Sequence, residues 1–237
     1  MGRAFEFRKA RKMKRWGKMA VTFTRIGKEI AMAVKQAGPD PTNNARLRVA
    51  VQNAKAENMP KDRVDAAISR ASSKDQKDYA EVVYEGMGPY GVGVVVETAT
   101  DNPTRTVANI RLAFKKSDSE IGKTGSLDFI FERKCIFKID PTGLNLDDLE
   151  LELIDFGMEE IEQVEDETLI YTAFADFGNM QKGLESLNIP IISVDKERIP
   201  LSTVDVTAEQ AEEINKLIDR LEEDEDVQAV FHNMKSA

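Results

Sequence analysis

The fold turns on one stretch, EVVYEGMGPYGVGVVVETATDNP, residues 81–103. Two runs rich in β-branched residues, 81–84 and 92–98, alternate in polarity as strands do. Between them Gly86, Met87, Gly88, Pro89, Tyr90 and Gly91 place turn formers side by side, which predicts a hairpin. Asp101, Asn102 and Pro103 then read as a helix start, with Asn102 as the cap and Pro103 in the first turn. The helix that follows carries Val107, Ile110, Leu112 and Phe114. Residues 122–126 are expected to form a loop and 127–131 a third strand. Strand, strand, helix, strand is the pattern of an α+β unit. The glycines Gly86, Gly88, Gly91 and Gly93 sit inside the hairpin rather than between a strand and a helix, so they read as turn residues and not as a phosphate cradle.

Upstream of the hairpin the apolar period changes to that of helices. Residues 19–37 predict a helix that ends before Gly38 and Pro39, with Phe23, Ile26, Ile30, Ala33 and Ala37 on one stripe. By the same arithmetic Lys18, Arg25, Lys28 and Lys35 fall on the opposite face. A second helix spans about 44–57, with Leu47, Ala50, Val51 and Ala54 inward. A third starts at Pro60 and carries Val64, Ala67, Ile68 and Ala71. Three amphipathic helices with short connections predict a small bundle. The polar run 72–78 reads as a linker.

Downstream, 134–198 reads strand, helix, strand, helix, strand, with helices at about 146–156 and 176–187. Residues 204–206 predict a strand, Thr207 and Gln210 have capping-box spacing, and Ala211, Ile214, Leu217, Ile218 and Leu221 face inward on the helix after them. Residues 227–231 close the pattern as a strand. The block 79–133 is short of a complete sheet, and the tail 199–237 offers the missing strand, helix and strand. The expected fold class is therefore multidomain α plus α+β: a basic helical domain at 1–78 with an N-terminal arm, an α+β domain from 79–133 plus 199–237, and an acidic α+β domain, 134–198, inserted into it.

Charge divides the chain. Residues 1–74 hold 18 Lys and Arg against 6 Asp and Glu, a net of +12, whereas 75–237 hold 15 against 36, a net of −21. The segment 134–198 alone has 5 basic and 16 acidic residues. Such asymmetry points to a module for nucleic acid or another anionic surface attached to an acidic body. The densest part is 1–18, where Arg3, Arg8, Lys9, Arg11, Lys12, Lys14, Arg15 and Lys18 face only Glu6. Like charges this close predict a mobile or weakly helical arm until phosphates neutralise it. Phe5, Phe7 and Trp16 are interleaved, either to stack on bases or to dock the arm on the bundle.

Several chemistries lack their residues. The one histidine, His232, near the end of the closing strand, reads as structural, and the one cysteine, Cys135, lies in an apolar run as a buried strand thiol. No cysteine–histidine cluster has zinc spacing, and no Gly-x-x-x-x-Gly-Lys-Ser/Thr loop occurs. The acidic run 222–226 lacks calcium-loop spacing and reads as a solvated helix end. No stretch approaches the roughly 18 apolar residues of a membrane helix. A reducing compartment, the cytoplasm, is the default, although an Arg-rich, acid-poor start also imitates a mitochondrial transit peptide.

The sequence from Thr22 to Phe131 resembles the YebC/PmpR family of probable transcriptional regulators, a family also linked to ribosomal translation. The resemblance is carried by FTRIGKEI at 23–30, DPTNNARLR at 40–48, AKAENMPKD at 54–62, YEGMGP at 84–89, ETATDNPTRTV at 97–107 and GKTGSL at 122–127. It implies three domains, helical first and α+β thereafter, a cytoplasmic location and no cofactor. Two departures matter. Many members begin Gly-His-Ser-Lys-Trp, whereas here Gly2 is followed by Arg3, Ala4, Phe5 and Glu6. The stretch 116–121 replaces a glycine-containing turn.

The expected function is that of a non-enzymatic nucleic-acid-binding regulator, foremost a DNA-binding regulator of transcription. The alternative is an RNA- or ribosome-associated translation factor. The expected partner is duplex DNA or ribosomal RNA, with the acidic domains turned to the ribosome or the transcription machinery, and no membrane, metal or cofactor. The residues expected to meet phosphates are Arg8, Lys9, Arg11, Lys12, Lys14, Arg15, Lys18, Arg25, Lys28, Lys35, Arg46 and Arg48.

Overall fold

The structure, a computed structural model, describes residues 19–73, 78–164 and 167–236. Three helices come first: α1 (Met19–Ala37), α2 (Ala45–Ala56) and α3 (Lys61–Ala71). The apolar stripe of α1 meets the other two in a core of Ile26, Ile30, Ala33, Val34, Leu47, Ala50, Ala54, Val64 and Ala67. Asn44 sets the corner between α1 and α2. Its side-chain oxygen accepts the Leu47 N–H at 3.0 Å, and its amide donates to Ala33 O at 2.7 Å and Gly38 O at 2.8 Å. One buried side chain thus satisfies the start of one helix and the end of another.

The hairpin forms as its sequence predicts, from β1 (Ala80–Met87) and β2 (Gly93–Thr100), antiparallel with Met87 opposite Gly93. Tyr90 (φ 61°) and Gly91 (φ 76°) make the left-handed step of the turn. Gly86 is required by close packing: a Cβ there would lie 2.6 Å from both Glu120 O and Phe114 Cε1. With β3 (Glu120–Ile121) and β9 (Val227–His232) the hairpin builds a four-stranded sheet in the order β3-β1-β2-β9. Helices α4 (Pro103–Lys115) and α7 (Ala208–Glu222) cover one face over Val92, Val94, Val96, Ile110, Phe114, Ile214, Leu217 and Val230. Asn102 caps α4 by accepting the Arg105 N–H, and Thr207 and Gln210 cap α7 reciprocally.

A second sheet, β5-β6-β4-β7, is wholly antiparallel and lies between β3 and β9 in sequence. Its strands are β4 (Phe131–Ile139), β5 (Met158–Val164), β6 (Glu167–Ala173) and β7 (Ile191–Pro200). Helices α5 (Leu146–Ile154) and α6 (Phe177–Ser186) pack on Cys135, Phe137, Ile139 and Ile170. The short β8 (Val204–Val206) and β10 (Met234–Ser236) pair in parallel.

Two expectations need correction. Residues 124–130 are turns, not a strand, and β4 begins at Phe131. The reason is Glu85, whose buried carboxylate takes the Gly125 and Leu127 N–H groups that a strand would have used. Between α5 and α6 there are two strands where one was expected. Val164 pairs with Glu167, and neither Gly nor Pro marks the connection at 165–166.

Candidate nucleic-acid interface

Part of the polar face of α1 is turned inward, at Arg25 and Lys28. Lys28 is 8% exposed, and its Nζ donates to Ala99 O at 3.0 Å, Glu225 O at 2.7 Å and Asp226 Oδ1 at 2.8 Å. It also lies 5.4 Å from the centre of the Tyr79 ring. One turn earlier, Arg25 Nε donates to Val227 O at 2.9 Å and its Nη2 to Glu222 O at 3.2 Å. Glu222 O ends α7 and Glu225 O lies in the turn after it, where a helix leaves carbonyl groups without internal partners, while Val227 O opens β9 and Ala99 O lies on β2. The cationic face of α1 supplies the missing donors.

Asp226 is the centre of this contact. Besides Lys28, its carboxylate accepts from Arg105 Nη2 at 2.6 Å, Thr106 Oγ1 at 2.8 Å and Thr100 Oγ1 at 3.0 Å. Burial pushes its carboxyl up, but the bonds from Arg105, Lys28, Thr106 and Thr100 outweigh burial and hold it well below the usual carboxylate range.

Lys35, Arg46 and Arg48, the other described cations of the expected set, are also engaged. Lys35 pairs with Asp78 at 3.3 Å. Arg46 reaches Glu81 and Gln36. Arg48 donates to Glu185 on α6 at 3.0 Å and to Pro41 O at 2.7 Å. Beside it, Asn53 pairs with the backbone of Val194 on β7, donating to its O and accepting its N–H, both at 2.8 Å. Thus Arg25, Lys28, Arg46 and Arg48 tie the helices to the two sheets or to their connections. Arg8, Lys9, Arg11, Lys12, Lys14, Arg15 and Lys18 lie outside the described residues. On α2 and α3, exposed cations outside the expected set are Lys55, Lys61, Arg63 and Arg70, with the Arg63 guanidinium 5.7 Å from the Phe23 ring. Helical period could have found them, since they occupy the positions between the inward residues of α2 and α3.

Residues 3–74 match the TACO1/YebC protein N-terminal domain, and residues 79–234 match the TACO1/YebC second and third domain. The chain belongs to the TACO1/YebC family. Its relatives within that family include a probable transcriptional regulatory protein of Parabacteroides distasonis, 59% identical over 99% of this chain and 97% of that one. Another, from Cytophaga hutchinsonii and named in the same way, is 61% identical over 99% of this chain and 98% of that one. Among solved structures, a conserved hypothetical protein from Aquifex aeolicus superposes with a TM-score of 0.75 at 32% identity, covering 93% of this chain and 91% of that chain.

Cys135 is buried on β4, and burial pushes its thiol up to about 11, so it is not a ready thiolate at neutral pH. Among the described residues, no group of three or more His, Cys, Asp and Glu could hold a metal ion. Among them, too, no helix is long and apolar enough to cross a membrane.

Proposed function

We propose that this member of the TACO1/YebC family is a non-enzymatic, cytoplasmic, DNA-binding regulator of transcription that grips phosphates with its basic N-terminal region. The observation that carries the reading is the division of charge, +12 over residues 1–74 against −21 over the rest. Relatives named probable transcriptional regulatory proteins support it. The occupancy of Arg25, Lys28, Arg46 and Arg48 by carbonyls and carboxylates moves the expected contacts to Arg8, Lys9, Arg11, Lys12, Lys14, Arg15 and Lys18, with Lys55, Lys61, Arg63 and Arg70 adding exposed charge. The acidic body docks the helices through the carbonyls and carboxylates that hold Arg25, Lys28, Arg46 and Arg48. In this reading the chain has three domains, 1–78, 79–133 plus 199–237, and 134–198, the last inserted into the second.

The test compares the full chain with a variant lacking residues 1–18, on a 20-base-pair duplex and on an RNA hairpin, across a salt series. If each of the eight cations in 1–18 meets a phosphate, the slope of log affinity against log salt becomes shallower by up to roughly seven on duplex DNA. An unchanged slope removes this region from the contact. Tight binding to the hairpin alone overturns the DNA reading in favour of an RNA-directed role.

A further inference from the structure

The turn at 124–130, where the sequence predicts part of a strand, carries an aromatic residue. Phe129 is 76% exposed, more than any other large hydrophobic side chain among the described residues. Its neighbours Leu127, Ile130 and Phe131 point the other way, into a small core with Val95 and Phe231. The loop is held from beneath by Glu85. The Glu85 carbonyl accepts the Gly122 N–H at 2.7 Å, and its carboxylate accepts Gly125 N–H at 2.9 Å, Leu127 N–H at 2.7 Å and Ser126 Oγ–H at 3.4 Å. Glu85 is 3% exposed, so the loop is fixed to the sheet by bonds shielded from water.

We propose that the loop 122–130 is a stacking platform for an unpaired base of a single-stranded nucleic acid, with Phe129 as the ring and Lys123 as the contact to the adjoining phosphate. The proposal rests on the nucleic-acid-binding reading above. An exposed ring on a rigid loop has already lost the conformational freedom that binding would otherwise cost. Gly122, Thr124, Gly125 and Ser126 are exposed and small, so a strand can approach the backbone closely beside the ring. Lys123 is the loop's one cation and Asp128 its one anion, and both are exposed. A protein partner would call for a contiguous apolar patch, and this loop offers one ring among small and polar residues. A nucleobase needs one ring face, and its phosphate needs one cation. A paired base cannot take the site, because both of its faces are already stacked.

The test uses the full chain with fluorescently labelled U12 RNA, dT12 DNA and a 20-base-pair duplex at fixed salt. Phe129→Ala is expected to weaken binding to the single strands by roughly five- to a hundredfold, the range for loss of one base–aromatic stack. Binding to the duplex is expected to stay within about twofold, and Phe129→Tyr to retain wild-type affinity. The RNA and DNA arms identify which sugar is preferred. As a second readout, Trp16→Phe combined with Phe129→Trp leaves a single tryptophan, at the loop, whose emission is expected to fall on adding U12 or dT12. Wild-type affinity of Phe129→Ala for both single strands, or equal losses on single strands and duplex in a protein that melts normally, overturns the stacking role and leaves the wider reading intact. A wild-type chain that binds none of the three probes overturns both.

Discussion

The helical region meets the two sheets in two different ways. Against the first sheet it places a buried cation, Lys28, into a ring of carbonyls around the Asp226 carboxylate. Against the second sheet it uses a neutral amide, Asn53, on the edge of β7 and a partly exposed ion pair, Arg48 with Glu185, beside the buried Val49. Both contacts draw on the same basic composition, yet water separates their energetics. A buried charge is strongly coupled to its partners because nothing else can solvate it. An exposed pair competes with water and salt and contributes little. The number of cations in a region therefore says less about its binding capacity than the side of the helix on which each one lies.

This contrast can be broken at its strongest point first. Lys28→Gln leaves Asp226 short of a full positive partner and is expected to cost about 3–5 kcal/mol in urea unfolding. It follows that changing Arg25, Lys28 and Lys35 together, which looks harmless from the helical period alone, should destabilise the protein before it affects any ligand. A loss below about 0.5 kcal/mol for Lys28→Gln would show that the buried contact is not stronger than a surface one.

Acid should act on the same centre. The folded Asp226 carboxyl lies below its unfolded value, so it stabilises the fold above that unfolded value, near about 3.9, and the contribution is lost as pH falls toward the folded value. The melting temperature of the wild type should thus fall more steeply between about pH 5 and pH 2.5 than that of Asp226→Asn. Parallel curves would remove Asp226 from the acid response.

The second contact is expected to give smaller effects. Asn53→Ala strips both partners from Val194 and should cost about 1–3 kcal/mol. Arg48→Gln, with its partner Glu185 42% exposed, should cost no more than about 1 kcal/mol and less still at high salt. An Arg48 effect equal to that of Lys28 would erase the distinction between the two interfaces.

Much of the local structure was legible because its causes are local. The ends of α1, the Asn102 cap of α4, the capping box of α7 and the hairpin turn at Pro89–Gly91 all depend on residues within a few positions of one another. The apolar stripe of α1 was legible too, and Ile26, Ile30 and Ala33 are buried where the period places them. What the period could not supply was the environment of the opposite face. Arg25, Lys28 and Lys35 share a polar stripe in sequence, but the partners that decide Lys28 and Arg25 lie about 200 positions away, at 222–227.

The same division applies to the loop at 122–130. Its apolar residues Leu127, Phe129 and Ile130 suit a strand by composition, and only the carboxylate of Glu85, some forty positions earlier, takes the backbone donors and leaves Phe129 outward. By itself the sequence determined the helices, the hairpin, the caps and the separation of charge, because propensity, period and composition act at short range or in sum. The tertiary structure alone decided which cations are buried, which carboxylates hold them and which aromatic ring meets solvent. Those outcomes depend on desolvation and on hydrogen-bond partners that come together only when distant segments pack.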